Sequence, residues 1–287
     1  MKIALVTWCD LPDLSPDDHP LCDELRRMGA DVHAVVWSDA SVRWDSFDAI
    51  VLRSTWDYHA RIDEFHAWLD HLESIGAPAW NPPSLVRRNI HKRYLLELDV
   101  PVVPTILLPR GASMRVETRS VVKPEVSLNG HRTIVVDAGT EVTADVDLLV
   151  QAFVGEVVTK GEWSFVFLGG RFSHVVMKRA ATGDFRVQTT YGGIAVAVTP
   201  PPALVDQAEH ILTAIDEPWL YARVDAVEID GRLVLMELEM TEPSLFFELC
   251  PEAATRMANA IHRTANAFSK ISTIKAAPRP SGSCFGS

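Results

Sequence analysis

Over the first eighty positions apolar residues come in short blocks, separated by stretches in which they recur every three or four residues. Residues 3–7, 32–37 and 49–52 are blocks too short for helices and read as strands. Residues 18–28 and 61–75 carry helical spacing (Ile62, Phe65, Trp68, Leu69 and Leu72 in the second) and stop at Gly29 and Gly76. This alternation predicts a small open α/β sheet. Asn81-Pro82-Pro83 marks a boundary, and a helix follows over 83–98 with proline early, where its missing N–H does no harm. Strand signals then dominate: 102–107, 120–122, 133–136, 148–153 and a hairpin over 162–178 around Gly169-Gly170. A helix is predicted over 202–215, a second hairpin within 221–246 around Asp230-Gly231, and a last helix over 252–268. The closing residues, KAAPRPSGSCFGS, read as disordered. The domains expected are thus 1–80, 81–160 and 161–270, with a tail over 271–287.

The second hairpin carries the most chemistry. Asp225 interrupts its first strand, and Glu237 and Glu239 interrupt the second. Two residues apart, these glutamates share a face, and Val234, Met236, Leu238 and Met240 take the core face. Adjacent like charges on a half-buried strand are costly unless a cation offsets them. Hard oxygen ligands without Cys or His suit Mg²⁺, which commonly sits between carboxylates and substrate phosphates. The alternative is an acidic sheet edge kept soluble by its charge. A plain two-residue turn would set Asp225 opposite Met236 and turn Glu237 away from it. A shared ion therefore demands a bulge or an odd-membered loop, placed most naturally at Gly231.

Other candidates lie upstream. Lys123 ends an apolar strand ahead of a polar loop with Ser127, Asn129 and Gly130; the lysine and the loop N–H groups could hold phosphate oxygens, or the loop could be an ordinary hairpin. Lys92 lies among Arg87, Arg88 and Arg93, on a basic helix face. The run 151–154, including Gln151, Phe153 and Val154, could hold an adenine between apolar walls. Glu156 and Glu162 beyond it could accept from ribose hydroxyls. Lys178 and Arg186 follow the first hairpin, and Arg223, two residues before Asp225, shares its face.

The composition is that of a soluble globular chain: 287 residues, 47% hydrophobic and 23% charged. A formal net charge of −11 disfavours nucleic-acid and anionic-membrane partners. Four scattered cysteines, with no zinc spacing and no disulfide pattern, fit a reducing cytoplasm, and Cys9 reads as a packed thiol. No run approaches a membrane span. His59, His66 and His71 are not spaced as a tight ligand pair.

Taken in order, Lys92, VVKP with its loop, VQAFV, Glu162, KRAATGDFR with YGG, and Asp225 to Glu239 resemble the ATP-grasp superfamily from residue 81 to 268. The resemblance implies a fold of mixed α/β and α+β type, with an N-terminal open α/β domain and two α+β subdomains clasping ATP. It implies phosphate contacts from Lys92 and Lys123, adenine at 151–154, ribose at Glu156 or Glu162, and Mg²⁺ on Asp225, Glu237 and Glu239. The last position is often Asn in the superfamily. Arg186, Arg223 and Lys178 would contact the γ-phosphate and an acyl-phosphate. VTWCDLPDLSPDD, LRSTWDYH, GEWSFVFLGGRFSHVVMKR, GDFRVQTTYGG and ELEMTEPSLF are similar to one branch, the cyclo-ligases that close O-ureido-D-serine to D-cycloserine with loss of CO₂ and ammonia. A dipeptide-type ligase on the same fold and a nucleotide sensor without turnover are the competing expectations. Residues 53–58, at the carboxyl end of the sheet, are expected to help bind the amino acid. A homo-oligomer is compatible with the sequence.

Overall fold

Both faces of the first sheet are covered at its centre, which is why its two central strands are mainly apolar runs. The computed structural model describes residues 1–276. Strands β1 (Lys2–Thr7), β2 (Asp31–Val36), β3 (Ala49–Ser54) and β4 (Ala79–Trp80) pair in parallel in the order β2-β1-β3-β4. Ile3 and Leu5 of β1 join one core, packed against α1 (His19–Arg27) and the C-terminal helix. Ala4 and Val6 join the other, with Trp37, Trp44, Phe65 and Trp68 on the side of α2 (Ile62–Ser74). Each large side chain buried here contributes roughly 1.5–3 kcal/mol. Cys9 is exposed, contrary to the packed thiol expected.

The helix expected over 83–98 breaks in two. α3 (Pro83–Asn89) ends because the Asn89 side chain bonds the backbone of the second hairpin, at Leu238 O (2.7 Å) and Met240 N (2.8 Å). A 3-10 turn, Lys92–Leu96, follows with a new direction, since the Lys92 N–H bonds Glu125 O. Lys92 is therefore buried and not part of a solvated basic face.

Strands β5 (Thr105–Leu108), β7 (Ser120–Pro124), β8 (Ile134–Val136) and β10 (Leu148–Ala152) form a second, antiparallel sheet in the order β5-β10-β7-β8. A ribbon of β6 (Ser113–Arg115) and β9 (Glu141–Thr143), too short to show in the hydrophobic pattern, lies beside it. After α4 (Glu156–Thr159) come β11 (Glu162–Leu168), β12 (Arg171–Arg179), β13 (Ile194–Val198), α5 (Pro202–Leu212), β14 (Tyr221–Ile229) and β15 (Arg232–Glu239), then α6 (Pro251–Ala276). Their sheet runs β13-β12-β11-β14-β15. β13 was not anticipated. Its Ile194 and Val196 are exposed, so no buried face announces it.

The β11–β12 turn needs its glycines. Both have positive φ, and a Cβ on Gly169 would lie 2.8 Å from Ala260 of α6. α6 runs past residue 268 to Ala276, so the first residues assigned to the tail are helical, and 277–287 lie outside the described residues. Among the described residues no helix is long and apolar enough to cross a membrane.

Candidate active site

The β14–β15 hairpin does contain a bulge, but not at its turn. Asp230 and Gly231 form a two-residue turn with Ile229 opposite Arg232 and φ of 50° and 76°. The register shifts further along: Ala226 faces Leu235 while Asp225 faces Glu237, which leaves Met236 as the extra residue. The bulge reverses the inside–outside alternation. Before it Leu233 and Leu235 enter the core, and after it Leu238 and Met240 do. The core face expected for Val234 and Met236 is thus corrected, as both are only half-buried. The consequence is that Asp225, Glu237 and Glu239 share one cavity wall. β15 is an edge strand, but a covered one. Tyr94 bonds Leu238, Asn89 bonds Met240, and Val103 N donates to Leu235 O (3.0 Å).

The cavity measures about 470 Å³, and every nucleotide, phosphate and metal residue expected from the sequence lines it except Glu156. Glu156 opens α4 away from it. At its floor acids and bases are paired. Lys92 Nζ lies 2.6 Å from Glu237, and the Arg223 guanidinium bridges Asp225 (2.8 Å) and Glu239 (2.6 Å). Lys178 contacts Asp225 (3.1 Å) and also Glu162, so Glu162 belongs to this network. Ser164 donates to Asp225 (2.6 Å). Lys123 is buried and has no ion pair among the described residues. Burial lowers its pKa, against the pull of Glu237.

The carboxylates split by environment. Burial acts to raise Asp225, but Arg223 and Lys178 bring it below the usual carboxylate range. Burial likewise opposes Glu237, and Lys92 and Lys123 lower it. Burial lifts Glu239 to about 7, with Arg223 opposing and Asp225 and Glu237 adding repulsion. As placed, each of the three carboxylates turns to a cation, and among the described residues no cluster of three or more acidic, His or Cys groups is assembled to hold a metal. The donor set still fits a hard cation: three carboxylates on adjoining strands of one face, beside lysines and arginine that could turn to phosphate oxygens.

The 151–154 segment crosses above. Gln151 bonds Thr105 (3.1 Å), and the Phe153 N–H is committed to Arg119 O (3.0 Å). Phe153 meets Phe185 edge-on at 6.3 Å. Two loops close the opening. The hydroxyl of Ser127 donates to Pro124 O (3.0 Å). Gly130, at φ 68°, lies so close to the 184–191 loop that a Cβ there would sit 3.3 Å from the Tyr191 ring. Arg186 stacks over Tyr191 (3.5 Å) and pairs with Asp184 (2.8 Å), at the rim and apart from the floor cations.

The first domain supplies a wall that sequence reasoning only partly located. Of residues 53–58, Trp56 and Tyr58 line the cavity, while Arg53 is fully buried behind it, bonded to Asp18 (2.7 Å) and to Pro243 O (2.8 Å). Asp17 also lines it and accepts from the Ser244 hydroxyl (2.9 Å) and from the N–H groups of Leu245 (3.0 Å) and Phe246 (2.9 Å). Glu242 was missed. Its only signal was an acidic residue in an otherwise apolar and small run, TEPSLF.

The chain is similar to known proteins in sequence and in fold. Residues 3–81 match the family model described as the N-terminal domain of the D-cycloserine synthetase DcsG. The chain is 29% identical to the cycloserine biosynthesis protein DcsG of Streptomyces lavendulae, across 90% of this chain and 97% of that protein. It superposes on a crystal structure of D-cycloserine synthetase DcsG with a TM-score of 0.78 and 25% identity, covering 92% of this chain and all of that one. A D-alanine–D-alanine ligase from Bacillus anthracis complexed with ATP shares the fold, with a TM-score of 0.65, 16% identity and coverage of 95% and 99%. The chain has the ATP-grasp fold. Its activity class is ATP-dependent carbon–nitrogen bond formation between a carboxylate and an amine. The cavity is lined by the two larger antiparallel sheets and by Asp17, Trp56 and Tyr58 of the N-terminal part, so neither hairpin nor loop alone forms the site.

Proposed function

We propose that the protein is the cyclo-ligase that converts O-ureido-D-serine to D-cycloserine, with ATP and Mg²⁺ bound in the cavity described. The observation that carries this reading is the full-length similarity to D-cycloserine synthetase. It includes the N-terminal domain, from which Asp17, Trp56 and Tyr58 reach the cavity. Asp225, Glu237 and Glu239 would hold Mg²⁺, and Lys92, Lys123, Lys178 and Arg223 would turn to phosphate oxygens. When bound, the metal supplies charge neutralisation at the β- and γ-phosphates. Gln151, Phe153 and Val154 would flank the adenine, and Glu162 the ribose. Glu162 would have to leave Lys178 to do so. Arg186 would come down from the rim.

In the proposed reaction the substrate carboxylate attacks the γ-phosphorus, ADP leaves, and an acyl-phosphate forms. The oxygen-bound N–H nitrogen of the ureido-oxy group attacks that carbonyl, phosphate departs and the nitrogen loses its proton. Hydrolysis of the carbamoyl part then releases CO₂ and ammonia. Lys178 and Arg223 offset the charge that builds on the transferred phosphoryl group. Holding both reacting groups in one pocket removes most of the entropic barrier to ring closure, and the 127–132 and 184–191 loops exclude water.

The test is ADP release with O-ureido-D-serine as sole substrate. Turnover with one equivalent of D-cycloserine per ADP is expected. Turnover only with pairs of amino acids would sink the cyclo-ligase in favour of an intermolecular ligase.

Lys123 gives a second check. As a buried cation without an ion pair among the described residues, it costs stability in the absence of an anion. Lys123→Met is expected to leave Tm unchanged or raised while the KM for ATP rises at least about tenfold, the loss of one charge-assisted phosphate contact. A lowered Tm with unchanged KM would make the lysine structural.

A further inference from the structure

Among the carboxylates that line the cavity, the three on β14 and β15 have cations. Asp225, Glu237 and Glu239 pair with Arg223, Lys178 or Lys92. Glu242, three residues beyond Glu239 and 6% exposed, has no ion pair among the described residues, and its Oε2 is buried with no hydrogen-bond partner. An unpaired acid so placed is costly, and a buried carboxyl is retained more readily where a ligand completes it.

Its surroundings describe that ligand. Tyr58 and Trp56 stand beside it on the first domain's wall, and Trp56 Nε1 donates to the Glu242 backbone oxygen (3.4 Å). The next residue is held by Arg53 and the following ones by Asp17, so the chain that carries the carboxyl is held in place by groups that do not themselves neutralise it. Burial, then the nearby Glu239, pushes it up to about 8, with Lys92 opposing. What the position lacks is a compact cation carrying several N–H donors, small enough to share the cavity with a nucleotide.

We propose that Glu242, with Tyr58 beside it, recognises the α-ammonium group of the amino-acid substrate and so places its carboxylate toward the floor cations. This rests on the ligase reading for the direction in which the substrate lies. Glu242 is a binding and positioning residue in it, separate from the carboxylates assigned to the metal.

Calorimetry with the full chain, in the presence of a non-hydrolysable ATP analogue, tests it. The ligands are O-ureido-D-serine, D-serine and 3-(ureidooxy)propanoate, which lacks the amine. Glu242→Gln is expected to weaken the two amines at least about tenfold, the fold-change of a lost charge-assisted hydrogen bond. Binding of the des-amino acid and of the nucleotide should stay unchanged, and the KM for O-ureido-D-serine should rise by more than kcat falls. Should the amide variant not fold, Glu242→Asp is expected to show the same selective weakening to a smaller degree. Equal loss for amine and des-amino ligands would overturn the proposal, as would a parent protein that binds neither amine. A fall in kcat at unchanged KM would make Glu242 a proton acceptor instead, and an increased Mg²⁺ requirement would make it a metal ligand. Amine binding that depends on Glu242, without ADP release from O-ureido-D-serine, would sustain the ammonium site and sink only the cyclo-ligase.

Discussion

Glu237→Gln is expected to lower ATP-dependent turnover by on the order of 10³-fold, about 4 kcal/mol in the activation barrier. Glu237 sits where the bulge turns β15 toward the cavity, directly opposite Asp225, and its carboxylate holds the Lys92 ammonium at 2.6 Å. The substitution keeps the side chain's size and removes its charge. In the proposed site it therefore takes one ligand from the metal and leaves Lys92 without its partner. Steady-state ADP release over a range of Mg²⁺ concentrations measures the effect. Loss of kcat that excess Mg²⁺ restores only in part is the expected pattern. A variant keeping more than a tenth of the parent's activity would remove Glu237 from the metal site and return β15 to the role of a charged edge.

The second large effect concerns stability. Arg53→Met is expected to cost about 3–5 kcal/mol, because the buried Asp18 carboxylate is left without its cation. For a chain of this size that is a fall in Tm of roughly 5–15 °C. Arg53 is 1% exposed, bonds Asp18 at 2.7 Å and Pro243 O at 2.8 Å, and lies over the Tyr221 ring at 5.3 Å. It ties the first domain to the loop that follows β15, so the substrate KM should rise as well. The double replacement Arg53→Met with Asp18→Leu removes both charges and should recover much of the Tm but not the KM. Scanning calorimetry of the three proteins decides it. A single variant melting within a degree of the parent would show that the buried pair contributes nothing.

Much of the fold was legible because its signals are local. The central strands of the first sheet, β1 and β3, are buried on both faces and read as apolar blocks, and α2 shows its core stripe of Phe65, Trp68, Leu69 and Leu72. The glycine turns at 169–170 and 230–231 require positive φ, which few other residues tolerate. β13 and the β6–β9 ribbon were not legible, because their short strands bury too little to leave a pattern. The break after Asn89 was hidden for a different reason: helix propensity continues through 90–98, and the hydrogen bonds that end α3 come from residues 238 and 240.

The site divides along the same line. By itself the sequence determined which chemistry was present: Asp225, Glu237 and Glu239 on two adjoining strands, Lys92 and Lys123 upstream, Lys178, Arg186 and Arg223 between. Residue type and strand parity depend only on near neighbours in the chain. The tertiary structure alone decided that the bulge falls at Met236 and not at Gly231, that Lys92 is buried against Glu237, that Glu162 joins Lys178, and that Glu242 is left without a cation. Register is set by how a whole strand pairs and packs, and burial by elements a hundred or more residues away. A carboxylate's charge can be read from its name, but its partner and its desolvation belong to the assembled fold.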